Sequence, residues 1–145
     1  MVFFSNSNIA PEDEYLRRLE SAKKFAVAEG LEFAEDEYDH GAWLAAVRGL
    51  EGAPEGGARC AACFRHNLSR AAEFAASRGV GVFTTTLTVS PKKSSALVAE
   101  AARVAARSAA EYMFFDFKKD NGFAESVRLA KLHGLYRQNY CGCGL

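Results

Sequence analysis

The sequence holds four cysteines in two tight pairs, Cys60-Ala61-Ala62-Cys63 and Cys141-Gly142-Cys143. They are its only cysteines, and the pairs lie too far apart for a local motif. A fold that carries the tail back to the middle of the chain puts all four sulfurs within reach of one site. That return is the strongest constraint on the architecture. Met1 to Phe4 is apolar but is broken at once by Ser5-Asn6-Ser7-Asn8, so nothing there resembles a signal peptide. No apolar run approaches the ~20 residues that span a bilayer. The expected location is cytoplasmic, with no membrane partner. Thiols stay reduced there, so paired cysteines read as metal ligands or redox groups before structural disulfides.

The 145 residues suit one domain, residues 1–145, and the 49% hydrophobic content with 11 Phe supports a real core. Eighteen Lys+Arg balance eighteen Asp+Glu. Net charge therefore gives no argument for a polyanionic partner, and a nucleic-acid surface must come from local clustering.

Strand-like and helix-like segments alternate along the chain. Val2-Phe3-Phe4 reads as a buried strand, and Pro11 as the first residue of a helix with Glu12, Asp13 and Glu14 in its first turn. Tyr15, Leu19, Ala22 and Ala26 share one face of that helix, and Gly30 stops it. Leu31 to Ala34 is the next strand, and Asp39 caps a short helix bearing Trp43, Leu44 and Val47. A glycine-rich loop from Gly49 to Gly57 delivers Cys60 to a helix with Phe64, Leu68, Ala71 and Ala75 in phase. Val80 to Thr86 is a β-branched strand, Ser90-Pro91 opens a long helix, and Tyr112 to Phe115 is another strand. Asn121-Gly122 precedes a last helix that Gly134 ends. The pattern predicts an α/β fold with a parallel sheet, which binds ligands at the carboxyl ends of its strands.

Cys60 and Cys63 sit at a helix entrance, where the spacing puts both sulfurs on one side and the helix N-terminus favours thiolates. Zinc and iron–sulfur clusters both accept such a pair, and two small buried hydrophobes are the bland alternative. Cys141 and Cys143 would close a small strained disulfide ring, which cycles readily, with Gly142 supplying backbone freedom. They could equally complete a four-sulfur structural zinc site. Lys92 and Lys93 in a first helical turn oppose the dipole by ~0.3–1 kcal/mol each, unless an anion binds there. Solvated lysines are the competing account. Asp116, Lys118 and Lys119 follow a strand end and read as phosphate contacts with a metal ligand or proton carrier, or as an ordinary charged turn. Tyr136, Arg137 and Tyr140 offer stacking faces beside the tail cysteines, as flipped or single-stranded bases require, though aromatic residues are also plain packing material. His40, His66 and His133 show no ligand spacing with the cysteines.

Together these stretches resemble the QueH-type epoxyqueuosine reductases. The segments carrying the resemblance are Phe3-Phe4 through Asn8-Ile9, Pro11 and Glu14-Tyr15, then Tyr38-Asp39 with Trp43. Glu51 through Glu55-Gly56 to Arg59-Cys60 and Cys63-Phe64 follow, then Thr84 to Thr88 with Ser90-Pro91-Lys92. Asp116 to Lys119 with Gly122, and Tyr136-Arg137-Gln138 with Tyr140 to Cys143, complete the set. The resemblance covers nearly the whole chain. It implies a Rossmann-like fold of the adenine-nucleotide-alpha-hydrolase type, a parallel sheet flanked by helices. It implies reduction of epoxyqueuosine to queuosine at the tRNA wobble position, fed by an unidentified electron donor. Cys60 and Cys63 would help to hold a [4Fe–4S] cluster, with a further iron as a secondary expectation and zinc as the alternative. Cys141 and Cys143 would be a redox-active pair. On chemical grounds alone, apart from the resemblance, Asp116 is the expected proton donor to the leaving oxygen. Arg59, Lys92, Lys118, Lys119, Tyr136, Arg137 and Tyr140 would contact tRNA. The competing function is a non-catalytic, zinc- or cluster-bound tRNA-binding remnant.

One departure stands out. Members of this family usually begin with a strand, adjacent cysteines in a Cys-Cys-x-x-Cys-like segment, and a helix, and those cysteines supply the remaining cluster ligands. Here Met1 falls immediately before the family's second strand, so the expectation is a domain missing its first βα unit and left with an unpaired sheet edge. Four accounts follow: a start lying upstream, ligands from a partner, all four cysteines regrouped on one metal, or lost activity. The first is preferred, because every other motif is kept.

Overall fold

The computed structural model describes residues 1–106 and 110–145. The order of elements is β1 (Val2–Phe4), α1 (Glu12–Ala28), β2 (Phe33–Glu35), α2 (His40–Ala46), α3 (Ala58–Ser77), β3 (Val82–Phe83), a 3-10 turn (Thr86–Val89), α4 (Ser95–Ala105), β4 (Glu111–Tyr112) and α5 (Gly122–Leu132). The architecture is α/β, compatible with a Rossmann-like fold. The strands form two parallel pairs, β1 with β2 and β3 with β4. Phe3 pairs with Ala34, and Val82 with Glu111. Among the described residues, β1 and β3 are each bonded on one side only.

Helix α3 links the two halves. Its Phe74 ring stacks on Phe3 of β1 with centroids 4.0 Å apart. Its Phe64 and Leu68 pack with Val98, Ala101 and Ala102 of α4, with Phe83 and Tyr112 closing that core from the strands. This is the amphipathic stripe expected of α3, except that Ala72 rather than Ala71 is buried. A second cluster gathers Ile9, Tyr15 and Leu19 against Phe4, Phe33 and Tyr38. A third holds Trp43, Val47, Ala62 and Cys63, with Leu50 and Cys143 against it. Asp36 ties the pieces together at the end of β2. It accepts from Arg70 of α3 at 2.6 and 3.0 Å and from Ser5 after β1 at 2.7 Å.

Several expected boundaries move, each for a local reason. Pro11 is the residue before α1, not its first turn. The Val80–Thr86 strand shortens to two residues because Thr85 turns its hydroxyl to the Leu87 N–H and starts the 3-10 turn. Ser90-Pro91 does not open α4. A turn closed by Lys93 N–H on the Ser90 carbonyl comes first, and Ser94 caps the helix through Leu97 N–H. Lys92 and Lys93 therefore lie ahead of α4 and outside its first turn, so they do not oppose its dipole there. The Tyr112–Phe115 strand ends at Tyr112, since Thr88, fully buried, captures the Phe115 carbonyl and the Phe117 N–H. Met113, Phe114 and Phe115 are left exposed.

Candidate functional site: a thiol-lined cleft

Helix α3 begins two residues before Cys60, and Gly57 precedes it in an extended conformation. The glycine-rich loop folds back over this end, so that the Gly56 N–H donates to Cys60 Sγ at 3.2 Å. Cys63 lies one turn further on and is 8% exposed. Its neighbours include Cys60 and Cys141, and Cys143 packs against the Cys63–Trp43 cluster. The tail of the chain thus returns to its middle at Cys63. All four cysteines are free thiols. Among the described residues, no group of three or more His, Cys, Asp or Glu is arranged to hold a metal.

Cys63 is not the activated thiolate expected at a helix entrance. Burial pushes Cys63 up to about 12, and burial also raises Cys141 despite the opposing pull of Lys93. At neutral pH both stay protonated until a metal or a redox partner displaces the proton. The surroundings nonetheless suit a charged sulfur. The indole N–H of Trp43 is buried with no hydrogen-bond partner, and it lies near Cys63. The Asn67 amide donates to Cys63 Sγ at 3.8 Å. N–H groups aimed at sulfur are what metal-bound thiolates accept. Cys60 and Cys63 thus fit half of a tetrahedral set for iron or zinc.

In front of Cys63 lies a cleft of about 620 Å³. Cys63 and Phe64 form its floor, and Asn8 and Asn67 one side. Ser90 to Lys93 form a second wall, and the tail from Tyr136 to Cys141 a third. Lys92, Tyr136, Arg137 and Tyr140 are placed here together, as expected. Lys93 sits over the Phe64 ring at 5.3 Å, and Arg137 over Phe123 at 5.7 Å.

The other expected contacts fall elsewhere. Arg59 is buried and donates to the Glu51 carbonyl, so it braces the glycine-rich loop. Lys118 is not free for phosphate: its ammonium donates to Thr88 O at 2.8 Å, to Lys93 O at 3.1 Å and to Ser95 Oγ. It fixes the Ser90–Lys93 wall instead. Asp116 accepts from Ser95 at 2.9 Å, and this bond, with Lys118 beside it, holds its carboxyl below the usual range. A carboxylate so stabilised is a poor proton donor, and it lies outside the cleft lining. Lys119 is exposed and also outside it.

Residues with no role assigned from sequence also shape the site. Asn8, Glu14 and Gln138 stand within the segments that carried the resemblance. Arg18 and Asn67 carried no signal beyond the i,i+4 spacings Glu14–Arg18 and Cys63–Asn67.

Paired free cysteines beside a basic, aromatic cleft give the class: an α/β protein with a cysteine-bearing cleft. The description "Epoxyqueuosine reductase QueH" matches residues 1–145. The chain belongs to the epoxyqueuosine reductase QueH family. It is 38% identical to the epoxyqueuosine reductase QueH of Streptococcus pyogenes serotype M1 over 98% of its own length and 58% of that protein. For the Haemophilus influenzae protein of the same name the figures are 34%, 98% and 59%, and for the Thermotoga maritima one 37%, 97% and 76%. The chain thus spans less than two thirds of the first two proteins. No helix among the described residues is long and apolar enough to cross a membrane.

Proposed function

We propose that residues 1–145 form one α/β domain of a cytoplasmic reductase that converts epoxyqueuosine to queuosine at the wobble position of tRNA. The observation that carries this reading is a single cleft lined by Cys63, Cys141, Lys92, Tyr136, Arg137 and Tyr140. Tyr136 and Tyr140 are half exposed and give faces on which an unstacked base can lie. Lys92, Lys93 and Arg137 balance phosphate charge around it.

Removing an epoxide oxygen as water consumes two electrons and two protons and leaves a carbon–carbon double bond. Oxidation of the Cys141 and Cys143 thiols to a disulfide releases two electrons and two protons. The dithiol therefore matches the stoichiometry, and an external electron donor resets it. With burial holding the Cys141 proton in place, the cleft itself carries the acid that the leaving oxygen needs. This replaces Asp116 in that role. Cys60 and Cys63 would hold a [4Fe–4S] cluster, which supplies one-electron transfer when bound; a further iron is the secondary occupant, and zinc would supply no electrons. The Trp43 and Asn67 N–H groups keep the Cys63 sulfur oriented for ligation.

The test is anaerobic iron and sulfide reconstitution, metal analysis, and nucleoside mass spectrometry of tRNA carrying epoxyqueuosine. Queuosine should form, and should be lost in Cys141→Ala and Cys143→Ala. Full turnover by Cys143→Ala removes the dithiol from the mechanism. Stoichiometric zinc without iron under iron-replete, reducing conditions favours a non-catalytic tRNA-binding protein.

A further inference from the structure

Glu12, Asp13 and Glu14 read as three acids favouring the N-terminus of α1, but Glu14 is only 3% exposed. A buried carboxylate is costly unless it is fully partnered. Its partners are Arg18 Nε at 2.8 Å and the Tyr136 hydroxyl at 3.1 and 3.0 Å from its two oxygens. The guanidinium then reaches across the fold. Arg18 Nη1 donates to the Cys141 carbonyl at 2.8 Å, and its Cζ lies 5.3 Å from the centre of the Tyr140 ring.

Gly142 sits against the same group. Its φ is +93°, and a Cβ built there would lie 2.5 Å from Arg18 Nη2. On its other side, the Gly142 carbonyl accepts the Ala10 N–H at 2.8 Å. Two consecutive carbonyls, of Cys141 and of Gly142, are thus held from opposite directions. They fix the peptide planes on both sides of Gly142, and so the directions in which both cysteine side chains leave the backbone.

We propose that Glu14 and Arg18 are positioning residues for the Cys141–Gly142–Cys143 pair, a buried ion pair that holds the two thiols in the conformation from which the disulfide closes. This rests on the redox reading of Cys141 and Cys143. A pair serving only to dock the tail would need one contact to the chain. This one bonds the Cys141 carbonyl and the Tyr136 hydroxyl, and it fills the space that a side chain at position 142 would need. Glutathione supplies the redox couple for the test: oxidised glutathione takes two electrons and two protons from the dithiol and leaves as two thiols.

The variants are Glu14→Gln/Arg18→Met, which leaves no unpaired buried charge, and Arg18→Lys, which keeps the charge but not the fork. The Cys141–Cys143 disulfide fraction is measured across glutathione ratios by alkylation and mass spectrometry. Hydrogen exchange of residues 134–143 and the melting temperature are measured on the same samples. Freeing one backbone residue restores about 1–2 kcal/mol of entropy, so the disulfide equilibrium constant should fall about five- to thirtyfold in the double variant. Arg18→Lys should keep the melting temperature but not that equilibrium. Faster tail exchange with an unchanged disulfide equilibrium reduces the pair to a docking device and overturns the proposal. So does tail exchange as slow as in the unmodified protein. If the unmodified protein forms no Cys141–Cys143 disulfide at any ratio, the redox reading fails first and takes the proposal with it.

Discussion

Asp36→Asn tests whether α3, and with it Cys60 and Cys63, is held to the strands by one buried carboxylate. Asp36 has a side chain only 7% exposed and accepts two bonds from Arg70 and one from Ser5. The isosteric amide keeps the volume but faces a guanidinium N–H with another N–H. Charge-assisted hydrogen bonds contribute about 1.5–3 kcal/mol each, but Arg70 is 44% exposed on its side chain and recovers water when released. A net loss of about 2–3 kcal/mol follows, or about 5–12 °C in melting temperature for a domain of this length. The pH dependence carries a sign. Burial raises the Asp36 pKa, but the Arg70 and Ser5 hydrogen bonds outweigh it and leave the folded value below the ordinary one. The stabilisation is therefore complete above the unfolded Asp pKa of about 3.9 and is lost as pH falls through the depressed folded value. Melting curves of the two proteins should stay separated down to about pH 4 and converge below it. A gap of constant width throughout that acid range, or a gap under about 0.5 kcal/mol near neutrality, refutes the reasoning.

Lys118 and Lys92 should separate cleanly. Lys118→Met loses donors to Thr88, Lys93 and Ser95 and should destabilise by about 2–4 kcal/mol in thermal denaturation, while leaving the salt slope of tRNA binding unchanged. Lys92→Met should leave the melting temperature in place and lower the slope of log binding constant against log salt by about 0.7–0.9. Trp43→Phe should weaken Co²⁺ binding, followed by thiolate-to-metal absorbance, by about tenfold, because a buried, unpartnered N–H beside the Cys63 sulfur is removed. Unchanged Co²⁺ affinity would show that the indole N–H serves packing alone.

The parts of this fold legible from sequence are those set by short-range rules. Apolar spacing in α1 and α3, the Asp39 cap of α2 and the positive-φ glycines at positions 30, 79 and 134 all act within a turn or two of themselves. Ser90-Pro91 misled because proline at a helix start and proline in a turn look alike, and Ser94 decides between them by capturing Leu97 N–H. The site was legible in its sulfurs and not in its charges. Lys118 and Lys92 are the same residue type in similar polar stretches. Only long-range geometry tells one ammonium, spent on the Thr88 and Lys93 carbonyls, from another that lines the cleft.

The same distinction explains why Cys63 is buried rather than activated. A helix N-terminus favours thiolate at an exposed cysteine, but Cys63 sits a turn inside α3, beneath the tail, where desolvation outweighs the dipole. A thiol in that position resists oxidation and stray alkylation while empty-handed. It gives up its proton only to an occupant that supplies a stronger charge, with N–H groups already aimed at the sulfur. The tail obeys the opposite logic. Cys141 and Cys143 are half-buried on a segment held by α1; Cys141 lines the same cleft as Cys63, and Cys143 packs against the Cys63–Trp43 cluster. Cys63 is thus the insulated sulfur, and Cys60, Cys141 and Cys143 are the half-buried ones around it.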